Sequence, residues 1–402
     1  MKESKLKAMR KSFSILEDRK KKLFEDDYHR INELCERVKS IRKYSVSNLE
    51  ELLDTAKKKF TENGIEVIFA ENSQKALDEI YNIVKDECVV GKSKSNTVNE
   101  IGLSDFLKDK GIELVETDLG DRIVQLDVES KGPSHPIGPA AHLNMEKIAQ
   151  IASEKFGVPV KPEPRAILDI IKKDVIERLS KCTVGITGAN TIAAEDGSLI
   201  MVHNEGNINL ISMKDTHIVV AGIDKLVRTI EEGISVVKLE TIFATGKTTP
   251  AYMNVISSPS KTADIEQVLL KDMYGAKRVI LILLDNGRRE ALEESLLCIG
   301  CGSCIVSCPV YNVTGYEFGY KGYLGGRGVA LSRFIKDLET SYNSGLYKCT
   351  LCGLCTLECP VNIKTNRMIE RLRKESVDND VFPGKHHETA ARIKKKGSPF
   401  ED

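Results

Sequence analysis

Cys298-Ile299-Gly300-Cys301-Gly302-Ser303-Cys304-Ile305-Val306-Ser307-Cys308-Pro309 is answered further along the chain by Cys349-Thr350-Leu351-Cys352-Gly353-Leu354-Cys355-Thr356-Leu357-Glu358-Cys359-Pro360. Both stretches read C-x2-C-x2-C-x3-C-P. In that spacing three close thiolates grip one face of a [4Fe–4S] cube and the fourth cysteine reaches a second cube. One ligand set is then Cys298, Cys301, Cys304 and Cys359, and the other is Cys349, Cys352, Cys355 and Cys308. Crossed ligation locks the two runs together and holds the cubes close enough for electron exchange, so this region is expected to carry electrons. Structural zinc is the weaker reading, because it pairs two C-x2-4-C knuckles rather than crowding four cysteines before a proline. Disulfides are disfavoured, since sulfurs three residues apart in a chain of intracellular character bind metal more often than each other.

The rest of the 402-residue chain has room for two or three domains and a sizeable core. Lys+Arg and Asp+Glu both number 59, a balance that gives no sign of a nucleic-acid partner. No apolar run approaches the ~18–20 residues of a membrane span. Residues 1–22 carry nine basic and three acidic side chains without an apolar core, so they do not read as a secretory signal. A cytoplasmic protein is expected, which suits oxygen-sensitive clusters. Cys35, Cys88 and Cys182 share no spacing and read as ordinary buried thiols.

Residues 1–46 read as helix: Leu6, Met9, Phe13, Leu16 and Leu23, then Phe24, Ile31, Leu34, Val38 and Ile41, recur at steps near three and four among charges. From Ser47 helices and strands alternate. Ser47 and Glu50 form a candidate capping box, Ile65–Ala70 a strand, Ser73 a helix start and Cys88–Val90 a second strand. Apolar runs at Ile112–Val115, Arg122–Leu126, Thr183–Ile186, Leu199–Val202, His217–Val220 and Arg278–Leu284 predict further strands. Met145–Phe156, Arg165–Lys181 and Ile265–Tyr274 predict helices. This rhythm argues for a largely parallel sheet covered on both faces, with an antiparallel part where Asp196-Gly197 makes a hairpin turn. The 40 residues between Cys308 and Cys349 exceed the needs of a compact βαββαβ ferredoxin, and Gly328–Leu338 within them reads as helix. A helical two-cluster ferredoxin domain is therefore expected at 291–365, after an α/β domain at 47–290 and before a charged helical tail at 366–402 that breaks at Phe382-Pro383-Gly384.

Gly91-Lys92-Ser93 and Gly246-Lys247-Thr248 look like P-loop fragments, but Asp86 and Thr241 stand where the first glycine is required. Gly185-Ile186-Thr187-Gly188-Ala189-Asn190 is likewise not a dinucleotide fingerprint. A denser constellation joins Asp118, His135, Glu195, Asn204, Glu205 and Asn207, with His142 and Asp285-Asn286-Gly287-Arg288 nearby in pattern. Polar residues at strand ends are where open α/β sheets place ligands, so a pocket for a small anion is expected. Asn-Glu-Gly-Asn and Asp-Asn-Gly also serve as plain turns, and a histidine beside a proline is more often structural than catalytic.

Lys92-Ser93-Lys94-Ser95 with Glu100-Ile101-Gly102-Leu103, Glu116-Thr117-Asp118-Leu119-Gly120, Pro133-Ser134-His135, Gly188-Ala189-Asn190, Asn204-Glu205-Gly206-Asn207, Ala244-Thr245-Gly246 and Leu284-Asp285-Asn286-Gly287-Arg288 resemble a LUD domain. Joined to Cys298-Ile299-Gly300-Cys301-Gly302 and Cys308-Pro309-Val310-Tyr311, they resemble the LutB family of iron–sulfur subunits of the L-lactate utilisation complex, over roughly residues 41–364. That resemblance implies a NagB/RpiA/CoA-transferase-like α/β fold with N-terminal helices and two [4Fe–4S] clusters. It also implies a CCG-domain subunit of LutA type and a second LUD subunit of LutC type as partners, the complex together oxidising L-lactate to pyruvate. Gly397-Ser398-Pro399-Phe400 resembles the tails of heterodisulfide-reductase-type ferredoxin subunits that dock CCG partners, so a heterodisulfide- or quinone-linked relay is an alternative. Another is a LUD domain with its own small-anion or CoA-type ligand. No flavin or nicotinamide fingerprint occurs, so two-electron chemistry is expected in a partner and the chain is expected to be inactive alone.

Overall fold

The computed structural model describes residues 1–130 and 132–400. A long helix α1 (Glu3–Ser47), kinked at Asp27, leads through Asn48 into α2 (Leu49–Glu62). Then follow β1 (Glu66–Ala70), α3 (Ser73–Val84), β2 (Val89–Lys92), α4 (Asn96–Ile101), α5 (Leu103–Asp109) and β3 (Glu113–Glu116). Helices α6 (Leu119–Leu126), α7 (Met145–Phe156) and α8 (Pro164–Leu179) precede β4 (Val184–Thr187), β5 (Thr191–Ala193), β6 (Ser198–His203) and α9 (Asn207–Ser212). The α/β part closes with β7 (Thr216–Gly222), β8 (Leu226–Val227), α10 (Ile230–Thr245), β9 (Tyr252–Ile256), the short pair β10 (Lys261–Thr262) and β11 (Leu270–Lys271), and β12 (Arg278–Leu284).

Six of these strands form a parallel sheet in the order β1-β12-β7-β4-β2-β3. The central strands read as unbroken apolar runs because both of their faces are covered. Ile218 and Val220 of β7, with Ile280, Ile282 and Leu284 of β12, pack beneath α3, α4 and α5. Their alternates Val219, Ala221, Val279, Leu281 and Leu283 pack against Leu52, Leu53, Ala56 and Phe60 of α2. Gly185 lets α9 lie directly on β4, since a Cβ there would stand 2.1 Å from the Ile211 carbonyl oxygen. A second sheet, β8-β5-β6-β9, contains the expected hairpin, with Thr191 opposite Ile200.

Three local expectations fail. Ser47 stays inside α1 and Asn48 occupies the junction without capping α2 through its side chain, so no capping box forms. Arg122–Leu126 is helix, because the Asp118 carboxylate accepts the Gly120 and Asp121 amides (3.1 and 3.2 Å) and starts α6. Ile265–Tyr274 is not helical: Glu266, Gln267 and Asp272 take positive φ and the segment forms an exposed excursion around β10 and β11.

Beyond β12 the chain forms short turns of helix, α11 (Glu293–Leu296), α12 (Ser303–Val306) and α13 (Tyr311–Thr314), then the hairpin β13 (Gly319–Tyr320) and β14 (Tyr323–Leu324). Helices α14 (Gly325–Ile335), α15 (Leu338–Asn343), α16 (Leu354–Leu357), α17 (Thr365–Asp378) and α18 (Gly384–Lys396) complete it. One core unites this region with the start of the chain: Leu6, Met9 and Phe13 of α1 and Leu239 and Ile242 of α10 pack with Ile305, Tyr311, Val329 and Met368. Arg288, buried, ties the two parts further, donating to Glu100 and Asp224 while the Tyr323 hydroxyl donates to the same Glu100 carboxylate (2.7 Å).

Candidate functional site

The two cysteine runs adopt the same local shape. Gly300 and Gly302 follow Cys298 with φ of 83° and 75°, and Leu351 and Gly353 follow Cys349 with φ of 56° and 80°. Each run then makes one helical turn, α12 or α16, and the two turns pack on each other. The left-handed residues curl the chain so that amides face sulfur: Gly300 N–H donates to Cys298 Sγ (3.4 Å) and Leu351 N–H to Cys349 Sγ (3.4 Å), and beyond the first run Tyr311 N–H donates to Cys308 Sγ (3.5 Å). Leu351 holds this conformation despite its side chain, as the repeat of the motif requires.

The fourth cysteine of each run has sulfur neighbours in the other run. Burial pushes the Cys301 and Cys304 thiols well above their usual range, and their sulfur neighbours Cys298 and Cys359 act in the same direction. Cys359, pushed up to about 11 by burial, has Cys298 of the first run as its sulfur neighbour. Burial also raises Cys308, whose sulfur neighbours are Cys355 and Cys349 of the second run. None of the eleven cysteines is joined in a disulfide. Among the described residues no three His, Cys, Asp or Glu side chains converge on a single ion; a cube spreads its thiolates over its corners and asks for no such convergence. Eight soft sulfur donors in two adjacent runs fit two [4Fe–4S] clusters, which would bind them as thiolates.

Charged side chains surround the runs. Lys20 on α1 bridges both, donating to Ser303 Oγ (3.0 Å) and Glu358 Oε2 (2.5 Å). Arg42, also on α1 and 2% exposed, donates to the carbonyls of Leu226 (3.1 Å) and Asp224 and to that of Leu296 (2.6 Å), two residues before Cys298. Arg373 donates to the Cys349 carbonyl (2.6 Å). Cys35 is half-buried, and burial together with Glu36 and Cys359 raises its thiol to about 11, so it sits beside the first group rather than apart from it. Cys88 is exposed, against expectation, and Cys182 is a structural thiol that accepts the Gly91 amide (3.1 Å).

The C-terminal ends of the sheet strands meet the first cysteine run at a cavity of ≈ 290 Å³. The chain leaves β2 outward to β3 but leaves β4 the other way to β7, so the crevice between β2 and β4 is a topological switch point. Asp118, Asn204, Glu205 and Asn207 line the cavity as expected. His135 does not; Pro136 and Ile137 do, while its ring is buried behind them with Nδ1 accepting the Ile137 and Gly138 amides (3.2 and 3.3 Å). Burial lowers its pKa to about 4, so it is neutral at pH 7. Glu195 lies on the exposed β5–β6 turn, at the opposite end of the hairpin from Asn190 and His203, which line the cavity. Sequence reasoning missed Ser93, Lys94, Lys225 and Glu240, which also line it. The neighbouring Lys92 of the P-loop-like fragment is fully buried and paired with Glu116 (2.7 Å), a structural role.

Cavity electrostatics are set by burial. Lys94 donates to Asp118 Oδ2 (3.0 Å) and the Ile137 carbonyl (3.2 Å); burial works against its charge, and Asp118 and Asp121 more than restore it. Burial, and then Asp118, raises Glu205, whose Oε2 accepts the Leu119 amide (3.0 Å). Behind Asp118, burial and Glu116 push Asp121 up to about 7.

An α/β domain that opens onto paired cysteine runs defines an iron–sulfur protein with a LUD domain, and comparison with known families bears on each half. Residues 53–284 match the LUD domain and residues 294–363 the 4Fe-4S dicluster domain. The chain is 32% identical to Lactate utilization protein B of Macrococcus caseolyticus over 382 residues, 92% of this chain and 78% of that one. It is 33% identical to Lactate utilization protein B of Lysinibacillus sphaericus over 348 residues, 85% and 71% of the two chains. It is also 31% identical to Uncharacterized electron transport protein YkgF of Escherichia coli over 364 residues, 89% and 74% of the two chains. This chain belongs to the Lactate utilization protein B family. Among the described residues no helix is long and apolar enough to cross a membrane.

Proposed function

We propose that this chain is the electron-transfer subunit of a multi-subunit complex, cytoplasmic in location, that oxidises L-lactate or a related 2-hydroxyacid to pyruvate. The observation that carries the reading is that the fourth cysteine of each run has sulfur neighbours in the other run, Cys298 beside Cys359 and Cys355 and Cys349 beside Cys308. Cys298, Cys301, Cys304 and Cys359 hold one [4Fe–4S] cluster, and Cys349, Cys352, Cys355 and Cys308 the other. Bound there, the clusters supply one-electron transfer. The chain's own contribution is to fix their spacing through the interleaved runs, to aim amides at their sulfurs and to place Lys20 and Arg42 as fixed positive charge beside them. Units at 1–46, 47–290, 291–365 and 366–402 divide the labour into helical brace, LUD domain, cluster domain and docking tail.

The inner group, with Cys301 8% exposed, lies against the LUD domain, whereas Cys352 is exposed. Electrons therefore enter or leave at the Cys352 side, where a CCG-domain subunit docks, and a second LUD subunit completes the assembly. Purification under anaerobic conditions, with iron analysis and EPR of the reduced protein, tests the cluster content: about eight irons per chain are expected. Lactate-dependent cluster reduction is expected only when the partner subunits are added. Reduction of the isolated, homogeneous chain by lactate at a useful rate would overturn the division of labour.

A further inference from the structure

We propose that His135 donates its Nε2–H to a sulfur of the cluster held by Cys298, Cys301, Cys304 and Cys359 and so raises that cluster's reduction potential. The tautomer follows from the other side of the ring. Nδ1 accepts the amides of Ile137 (3.2 Å) and Gly138 (3.3 Å), so the single hydrogen of the neutral imidazole sits on Nε2. His135 is 3% exposed, and Nε2 meets no hydrogen-bond partner among the described residues. A buried donor left without an acceptor costs stability, and one aimed at a cofactor site is met by the cofactor.

Nε2 faces the first cysteine run. A Cβ on Gly302 would stand 2.8 Å from Nε2 and 2.9 Å from Cε1, so the ring lies against the backbone between Cys301 and Cys304, and a residue without a side chain leaves it room. The Gly302 backbone acts on the ring in the direction of protonation, yet no acceptor there meets hydrogen-bond geometry. The ring is braced as well as buried. The Tyr311 hydroxyl donates to the Ser134 carbonyl (2.6 Å), the Ser134 amide donates to the Pro139 carbonyl (2.9 Å), and Phe13 of α1 packs edge-on with 5.3 Å between ring centroids. A donor fixed in this way needs no rearrangement when the charge of its acceptor changes.

Among the described residues the second run has no such neighbour. Gly353 occupies the place of Gly302, and the nearest atom a Cβ there would meet is Asn366 Nδ2 at 4.0 Å, on a half-buried side chain. The donor therefore acts on one cluster and not on the other. Reduction adds one electron, and so one negative charge, to the cube, while the proton stays on Nε2. A hydrogen bond strengthens as its acceptor becomes more negative, so this donor favours the reduced cluster.

The inference rests on the cluster assignment in the proposed function and not on the substrate. EPR-monitored redox titration of the anaerobic, cluster-loaded full chain tests it, with the first cluster's signal identified by its change in Cys301→Ser. His135→Asn keeps an oxygen near the place of Nδ1 for the two amides and removes the donor. It should make the first cluster about tenfold harder to reduce, a fall of about 59 mV for one electron, and leave the second cluster unmoved. His135→Gln puts an amide N–H near the place of Nε2 and should restore most of the wild-type potential. In the wild type, electron spin-echo modulation with isotopically labelled histidine should reveal a weakly coupled imidazole nitrogen at the reduced first cluster, a readout independent of how any variant folds. An unchanged potential in iron-replete His135→Asn, equal shifts in the Asn and Gln variants, or no imidazole coupling would each overturn the proposal. A wild-type chain lacking the first cluster would overturn the cluster assignment along with it, whereas full iron with an unmoved potential would sink the role of His135 alone.

Discussion

Replacing Arg288 with methionine should separate the two halves of the molecule energetically. Its guanidinium donates to Glu100 Oε1 (2.9 Å), Glu100 Oε2 (2.7 Å) and Asp224 Oδ1 (2.5 Å), and all three side chains are at most 6% exposed. Methionine removes the cation and leaves two buried carboxylates facing each other's field. Removing one member of a buried ion pair costs about 3–5 kcal/mol, and with two partners stranded the upper end is expected. The loss should depend on pH with a defined sign. Burial pushes the Asp224 carboxyl up, and Arg288, chief among nearby cations, more than offsets this and holds it well below the carboxylate range. In the native protein Asp224 therefore contributes stability that is present above the unfolded value of about 4 and is lost as pH falls through the lower folded value. Without Arg288 the folded pKa moves up, so the deficit is full at high pH and shrinks as acid protonates the carboxylate. Urea unfolding under anaerobic conditions at pH 8 and pH 4.5, compared at a common m-value, reads both effects. A deficit under ~1 kcal/mol, or one no smaller at pH 4.5, would show that the network carries little of the junction's stability.

Cys308→Ser should alter the EPR signal of the cluster held by Cys349, Cys352 and Cys355, and Cys359→Ser that of the other; changes confined to each residue's own run would refute crossed ligation. Gly287→Ala should cost upwards of ~2 kcal/mol, since its φ is +82° and a Cβ would stand 2.1 Å from the Phe334 carbonyl oxygen, and a melting temperature equal to wild type would contradict that packing. His217, whose pKa burial lowers to about 3, stays neutral in the fold while the unfolded chain takes up a proton below about 6.5. Stability is thus lost as pH falls from 6.5 towards 3, and His217→Asn should flatten that part of the denaturation profile.

The cysteine spacing and the long apolar runs were legible because metal ligation and two-sided burial each impose a pattern along the chain. β7 and β12 follow from composition alone: no amphipathic alternation survives when both faces are covered. Arg122–Leu126 misled because a five-residue apolar run fits strand or helix equally, and the deciding cue was the Asp118 cap upstream. Ile265–Tyr274 has helical composition, yet Leu270 and Lys271 within it pair with Thr262 and Lys261 as β11 on β10, and Glu266, Gln267 and Asp272 take positive φ. At the cavity, Asp118, Asn204, Glu205 and Asn207 stood out as polar turns after strands. Lys225 and Glu240 did not, because their placement depends on β7 lying beside β4 and α10 crossing behind, an order of strands that no local pattern encodes.

Helix α1 has a temporal consequence. Its 45 residues run about 67 Å, and the buried stripe of Leu6, Met9 and Phe13 is covered by residues such as Tyr311 and Met368 that leave the ribosome some three hundred residues later. At translation rates of about 5–20 residues per second the stripe waits roughly 15–60 s for its partners. During that interval the nascent chain displays an apolar stripe and, towards its end, a first cysteine run, Cys298 to Cys308, that emerges ahead of the second run, Cys349 to Cys359. The packing of α1 on the C-terminal region is therefore completed only after the second cysteine run has been made.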